Sequence, residues 1–248
     1  MKYLKVLIWP IIFMIGEFFI QYLFVAYFNF KYYSNIDLYS VINTIEYQNH
    51  LNNFISNNSL LIIIISSIIF IPVFYLIFRK YKEKCQLNNI KYFIFIGIIL
   101  SLTYNLYLSF IIDYKVSKLP IVIQIISSGI LGPILEELLF RGVVYNKLKK
   151  FNSIKKSMII TTIIFSIIHF NIIDCIYTLF IGYILVYVYE KYKDIRYSMI
   201  IHISANIAVI LLGLFINISI VLNIILFIIC LFVIFLLWFK YNKNNNYL

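Results

Sequence analysis

Eight apolar runs divide this chain, at residues 6–30, 60–78, 92–112, 121–145, 158–170, 172–189, 198–215 and 218–239. Crossing roughly 30 Å of hydrocarbon takes about 20 helical residues, with about 17–25 tolerated. Seven runs therefore read as spanning helices on length alone. The fifth is short and joins the sixth through "FNIID" with no room for a loop, so one of that pair is expected to be broken, tilted or deeply buried. The pattern predicts an all-α polytopic membrane bundle of about eight transmembrane helices. The basic start of the first run is that of a signal peptide, but an apolar stretch of about 25 residues without a small-residue cleavage site predicts a retained anchor.

The polar intervals test this count, because cytoplasmic loops carry the excess of Lys and Arg. Arg79, Lys80, Lys82, Lys84 and Lys91 fall in one interval, Lys147, Lys149, Lys150, Lys155 and Lys156 in another, and Lys191, Lys193 and Arg196 in a third. Lys2, Lys5, Lys240 and Lys243 flank the ends, while the alternate intervals hold only Lys31, Lys115 and Lys118. The alternation predicts both termini in the cytoplasm. Composition then agrees: 63% of residues are hydrophobic and 12% charged, where a soluble domain has about 45–50% and about 25%. The net charge of +11 is thereby a topology signal, and no nucleic-acid partner is needed to explain it. Cys85, Cys175 and Cys230 are scattered and read as apolar fillers, not as a disulfide framework or thiolate site. Residues 1–112 are expected to form an N-terminal three-helix region, with an Asn- and Tyr-rich outer loop at 31–59 holding His50, and residues 113–248 a second membrane region.

Charge inside the fourth run changes the picture. In "LGPILEELLFRGVV" some fourteen apolar residues of the run supply at most about 8 kcal/mol, whereas Glu136, Glu137 and Arg141 cost up to about 9 if central and ionised. Such a helix needs the rest of the bundle. Glu137 and Arg141, four apart, can pair on one face, and Glu136 points about 100° away toward some other partner. A buried ion-pair network that fixes packing would explain these three residues alone. Later runs add His169 with Phe165 one turn before it, and His202 with Asn206 one turn after it. At 1.5 Å per residue Glu136 lies about 16 Å from Lys147, His169 about 20 Å from Lys156 and His202 about 9 Å from Arg196. The polar groups are thus expected in one cavity of the inner half of the membrane. A buried glutamate beside a histidine can deprotonate water, and a second histidine with an asparagine amide can donate to an oxyanion. Glu136, His169 and His202 could instead hold Zn²⁺ with a water in the open position. No HExxH motif is present.

"EELLFRG", "FSIIH" and "HISAN" resemble, in order and spacing, the EExxxR, FxxxH and HxxxN motifs of the CPBP family. These are the CAAX-processing and bacteriocin-processing intramembrane proteases, also called the Abi family. The resemblance covers roughly residues 120–210. It implies an intramembrane endopeptidase of a bacterial cell membrane acting on a membrane-associated peptide or protein. Carried over by position, it implies Glu136 as the water-activating group with His169 beside it. His202 and Asn206 would be oxyanion donors or, with zinc, part of a ligand set, and Glu137, Arg141 and Phe165 would be supporting residues. The first three runs match no motif and are expected to set substrate choice. A non-proteolytic immunity or scaffold protein of the same fold, and a proton-coupled transporter, are the competing readings. The transporter lacks support from any repeat-related pair of interrupted helices.

Overall fold

The computed structural model describes residues 2–83, 86–109 and 120–212, with scattered positions between 224 and 236. Its elements are all helical: α1 (Leu4–Tyr33), a short α2 (Leu38–Val41), α3 (Ile45–Phe78), α4 (Ile90–Ser109), α5 (Ile121–Leu148), α6 (Ile154–Ile167), α7 (Ile172–Tyr192) and α8 (Ile195–Leu212). Six of them, α1, α3, α4, α5, α7 and α8, are long and apolar enough to cross a membrane. The chain is an integral, multi-pass membrane protein.

The difference from eight concerns the fifth and eighth runs. The fifth run forms α6, whose 14 residues rise only about 21 Å, less than the hydrocarbon is thick. The eighth run, at 218–239, lies largely outside the described residues, as do Lys115, Lys118 and Cys85. The interval at 31–59 also departs from a loop. Asp37 caps α2 by accepting from Tyr39 N–H, and Thr44 caps α3 by accepting from Tyr47 N–H at 3.2 Å. From that cap α3 runs 34 residues, about 51 Å, so its polar first half extends one continuous helix beyond the apolar half. Hydropathy alone reads such an extension as loop.

The centre of the bundle is α5. Every residue of its Leu138–Tyr145 segment is buried, in a core shared with Phe70, Phe74 and Phe78 of α3 and Phe165 of α6. The helix is not regular. Pro133 has no N–H to give, and its ring crowds the carbonyl four residues back. Just upstream, at Ile125–Leu131, the helix widens to π geometry, with Gly132 N–H donating to Ser127 O. A second π segment follows at Leu138–Tyr145, and the side chain of Asn146 returns to satisfy the carbonyls of Arg141 and Gly142 at 2.9 and 3.0 Å. Widened turns of this kind are rare and concentrate at functional sites.

Helices α6 and α7 form a hairpin with a tight turn at residues 168–171. Phe170 takes a left-handed φ of 55°, strained for a bulky side chain. Asn171 then caps α7 by accepting from Ile173 N–H at 3.0 Å. Ser166 Oγ donates to Cys175 O at 2.6 Å and Cys175 Sγ to Ser166 O at 3.1 Å, locking the two arms. Further along they approach so closely that a Cβ on Gly182 would meet a ring carbon of Phe165 at 2.8 Å. Phe165 cannot yield, being only 1% exposed. Gly182→Val is therefore expected to destabilise the protein by about 2 kcal/mol through overpacking. That lowers the melting temperature in detergent by about 4–8 °C, measurable by thermal unfolding followed by tryptophan fluorescence.

Candidate active site

Four helices deliver the polar residues. Glu136, Glu137 and Arg141 stand on α5, Phe165 and His169 on α6 and the turn after it, Gly182 on α7, and His202 and Asn206 on α8. Glu137 and Arg141 are fully buried and bonded to each other, Nη1 to Oε1, at 2.8 Å. The same Oε1 accepts from His202 Nδ1 at 2.9 Å. Arg141 Nη2 donates to Gly182 O at 3.0 Å, and its guanidinium lies 4.5 Å from the centre of the Phe165 ring. The buried charge is thus paired and stacked, while Glu137 Oε2 and Arg141 Nε make no hydrogen bond among the described residues. Glu137 is more than the neutraliser of Arg141, because it also orients His202.

Glu136, one residue earlier, faces elsewhere. It is partly exposed, and its Oε2 lies 3.8 Å from His202 Nε2. It lines two adjoining cavities, of about 290 Å³ and about 410 Å³, and Ser128, His169 and Asn206 line both with it. The histidine tautomers follow from their partners. His169 Nδ1 is 2.9 Å from Phe165 O; a carbonyl only accepts, so Nδ1 carries the hydrogen and Nε2 keeps a lone pair. His202 Nδ1 likewise gives its hydrogen to the carboxylate of Glu137. Asn206 donates one amide hydrogen to Ser128 O at 2.9 Å, a carbonyl of the first π segment, and keeps its second.

The donor set does not make a zinc site as it stands. Among the described residues no three His, Cys, Asp or Glu side chains are gathered closely enough to hold a metal ion. Glu136 Oε2 and His202 Nε2 stand 3.8 Å apart, and the bond from His202 Nδ1 to Glu137 leaves Nε2 free, but no third such side chain joins them among the described residues.

Residues 118–208 match the family model described as "Type II CAAX prenyl endopeptidase Rce1-like". The "Putative membrane peptidase YdiL" of Bacillus subtilis is 28% identical over 92 residues, which are 37% of this chain and 38% of that protein. Both descriptions agree with the CPBP resemblance of residues 120–210. No solved structure matches the chain. All three motifs of the CPBP resemblance fall inside the matched segment, whereas α1 and α3 fall outside it. Motif reasoning misses Glu17, which extends from α1 into the larger cavity with Gln21 and with Ser66 of α3. The available signal is a lone carboxylate in an apolar run.

Arg141→Met leaves the buried carboxylate of Glu137 without its main counter-charge. The expected cost is about 3–5 kcal/mol, against a smaller loss for the double variant Glu137→Gln with Arg141→Met. Thermal unfolding of the three proteins in one detergent checks the order.

Proposed function

We propose that the protein is an intramembrane endopeptidase that hydrolyses a peptide bond in a membrane-associated peptide or protein. The observation that carries this reading is the division of labour between adjacent carboxylates: Glu137 is sealed by Arg141 and His202, while Glu136 opens on a cavity beside two imidazoles.

In the reaction a water in the cavity is held by Glu136 and the lone pair of His169 Nε2. Glu136 takes one proton as the water oxygen bonds to the carbonyl carbon of the substrate. The oxyanion accepts from the second amide hydrogen of Asn206, and from His202 Nε2 when that ring holds both protons. Collapse of the tetrahedral intermediate breaks the C–N bond, and the proton held by Glu136 passes to the departing nitrogen. Glu137 acts through His202, holding the ring at a fixed angle as a carboxylate behind an imidazole does in other hydrolytic sites. The low-dielectric walls strengthen each of these interactions relative to water. Among the substrates this chemistry allows are a C-terminal CAAX-type tail and a leader-bearing peptide.

Two removals test the scheme. Glu136→Ala and His169→Ala, purified in detergent and given a library of membrane-anchored peptides, are expected to lose cleavage by about 10²–10⁴-fold, the scale of a general base. Asn206→Ala is expected to lose about 10²–10³-fold, the scale of one oxyanion donor. Equal product from wild type and Glu136→Ala overturns the reading. Treatment of the wild type with a chelator is expected to leave the rate unchanged. A loss restored by added zinc would show instead that Glu136, His169 and His202 regroup around a metal.

A further inference from the structure

The two cavities meet at one wall, formed by Ser128, Glu136, His169 and Asn206, and open to different sides of it. The smaller extends among α4, α7 and α8, past Leu100, Tyr104 and Tyr177. The larger extends among α1, α3 and α5, past Phe13, Glu17 and Ser66. A peptide whose scissile bond lies at the wall has room for its chain on both sides.

Each lobe holds one further carboxylate, and the two differ. Asp174, in the smaller lobe, accepts from Tyr104 Oη at 2.9 Å. Glu17, in the larger, makes no ion pair among the described residues. Its polar neighbour there is the Ser66 hydroxyl, which is shared with Ile63 O at 3.1 Å. On α1, Phe13, Glu17 and Gln21 follow at four-residue steps and share one face, and all three line the lobe. Much of the rest of α1, including Ile11, Ile15, Phe19 and Leu23, is apolar and exposed, as lipid contact requires. A carboxylate at mid-membrane is costly to insert, and such residues face a cavity and a partner.

We infer that the α1–α3 lobe is a subsite for a basic side chain of the substrate, lysine or arginine, next to the scissile bond, with Glu17 as its counter-charge. This rests on the peptidase reading above and names the chemistry of its substrate. The charge balance favours a cation over any other occupant. Glu17 and Glu136 line the same lobe, so an acidic side chain meets two carboxylates, an apolar one leaves Glu17 unpaired, and a basic one neutralises it. The lobe also suits the whole side chain. Its aliphatic stem lies along Phe13, Phe18 and Ile63, and its nitrogen finds oxygen acceptors on Glu17, Gln21 and Ser66.

The test uses the full-length protein in detergent and membrane-anchored peptides that differ at one position beside the cleaved bond, bearing Lys, Met or Glu. For wild type, kcat/KM is expected to be about tenfold or more higher for the Lys peptide than for the Met peptide, and lowest for the Glu peptide. In Glu17→Gln the Lys-to-Met ratio is expected to fall toward one, while Glu17→Asp keeps part of it. A wild-type ratio near one at each position flanking the bond overturns the inference without any variant, and so does a ratio that survives in Glu17→Gln. Should wild type cleave none of the peptides, the peptidase reading fails separately. Binding of the same peptides by fluorescence anisotropy then decides: about tenfold tighter binding of the Lys peptide, lost in Glu17→Gln, supports the subsite, and equal affinities overturn it.

Discussion

One carboxylate oxygen, Oε1 of Glu137, ties together the four helices α5 to α8. It accepts from Arg141 and from His202 at once, and Arg141 in turn reaches Gly182 O and the face of Phe165. A charge left unpaired in hydrocarbon is costly, so these contacts weigh heavily in the fold, and they run to α6, α7 and α8 from a single turn of α5. The close approach of α6 and α7 at Gly182, the buried edge of Phe165 and the placement of His202 all follow from that pairing. Because Glu137 is used up in this way, the charge of its neighbour Glu136 is left facing the cavity.

Much of this was legible in the order of residues. Apolar runs announced the spanning helices, and "FNIID" announced a turn too tight for a loop. The i, i+4 spacing of Glu137 and Arg141 announced a pair, because helical phase is a property of sequence. What phase cannot supply is the partner across helices. The bond from His202 to Glu137, with Glu136 standing 3.8 Å from the other ring nitrogen, depends on the depth at which α8 meets α5. That depth is set by π segments whose only sequence trace is Pro133 and the polar residues Ser127, Ser128 and Asn146. The polar half of α3 was equally hidden, since hydropathy registers lipid contact and not helicity. Glu17 was visible as a residue, but its aim into the cavity depends on how α1 lies against α3 and α5.

The irregular backbone is concentrated where the chemistry is proposed. The first π segment presents Ser128 O to Asn206, the second places Arg141, and the strained Phe170 ends the turn that carries His169. Rigid surroundings hold these departures from regular helix. At the end of α5, Glu190 accepts from Tyr145 at 2.8 Å and from Lys149 at 2.8 Å, and also pairs with Lys193. That cluster ties α5 to α7 beyond the site, on the side where the basic residues gather. Strain at one end and clamping at the other suit a site whose groups must be in position before substrate arrives.

The central claim is that two adjacent glutamates do separate jobs, and measuring cleavage and melting temperature together on Glu136→Gln and Glu137→Gln tests it most directly. The account predicts that Glu136→Gln melts like the wild type and loses cleavage by about 10²–10⁴-fold, whereas Glu137→Gln melts well below it. Wild-type cleavage by Glu136→Gln, or an unchanged melting temperature in Glu137→Gln, would contradict it.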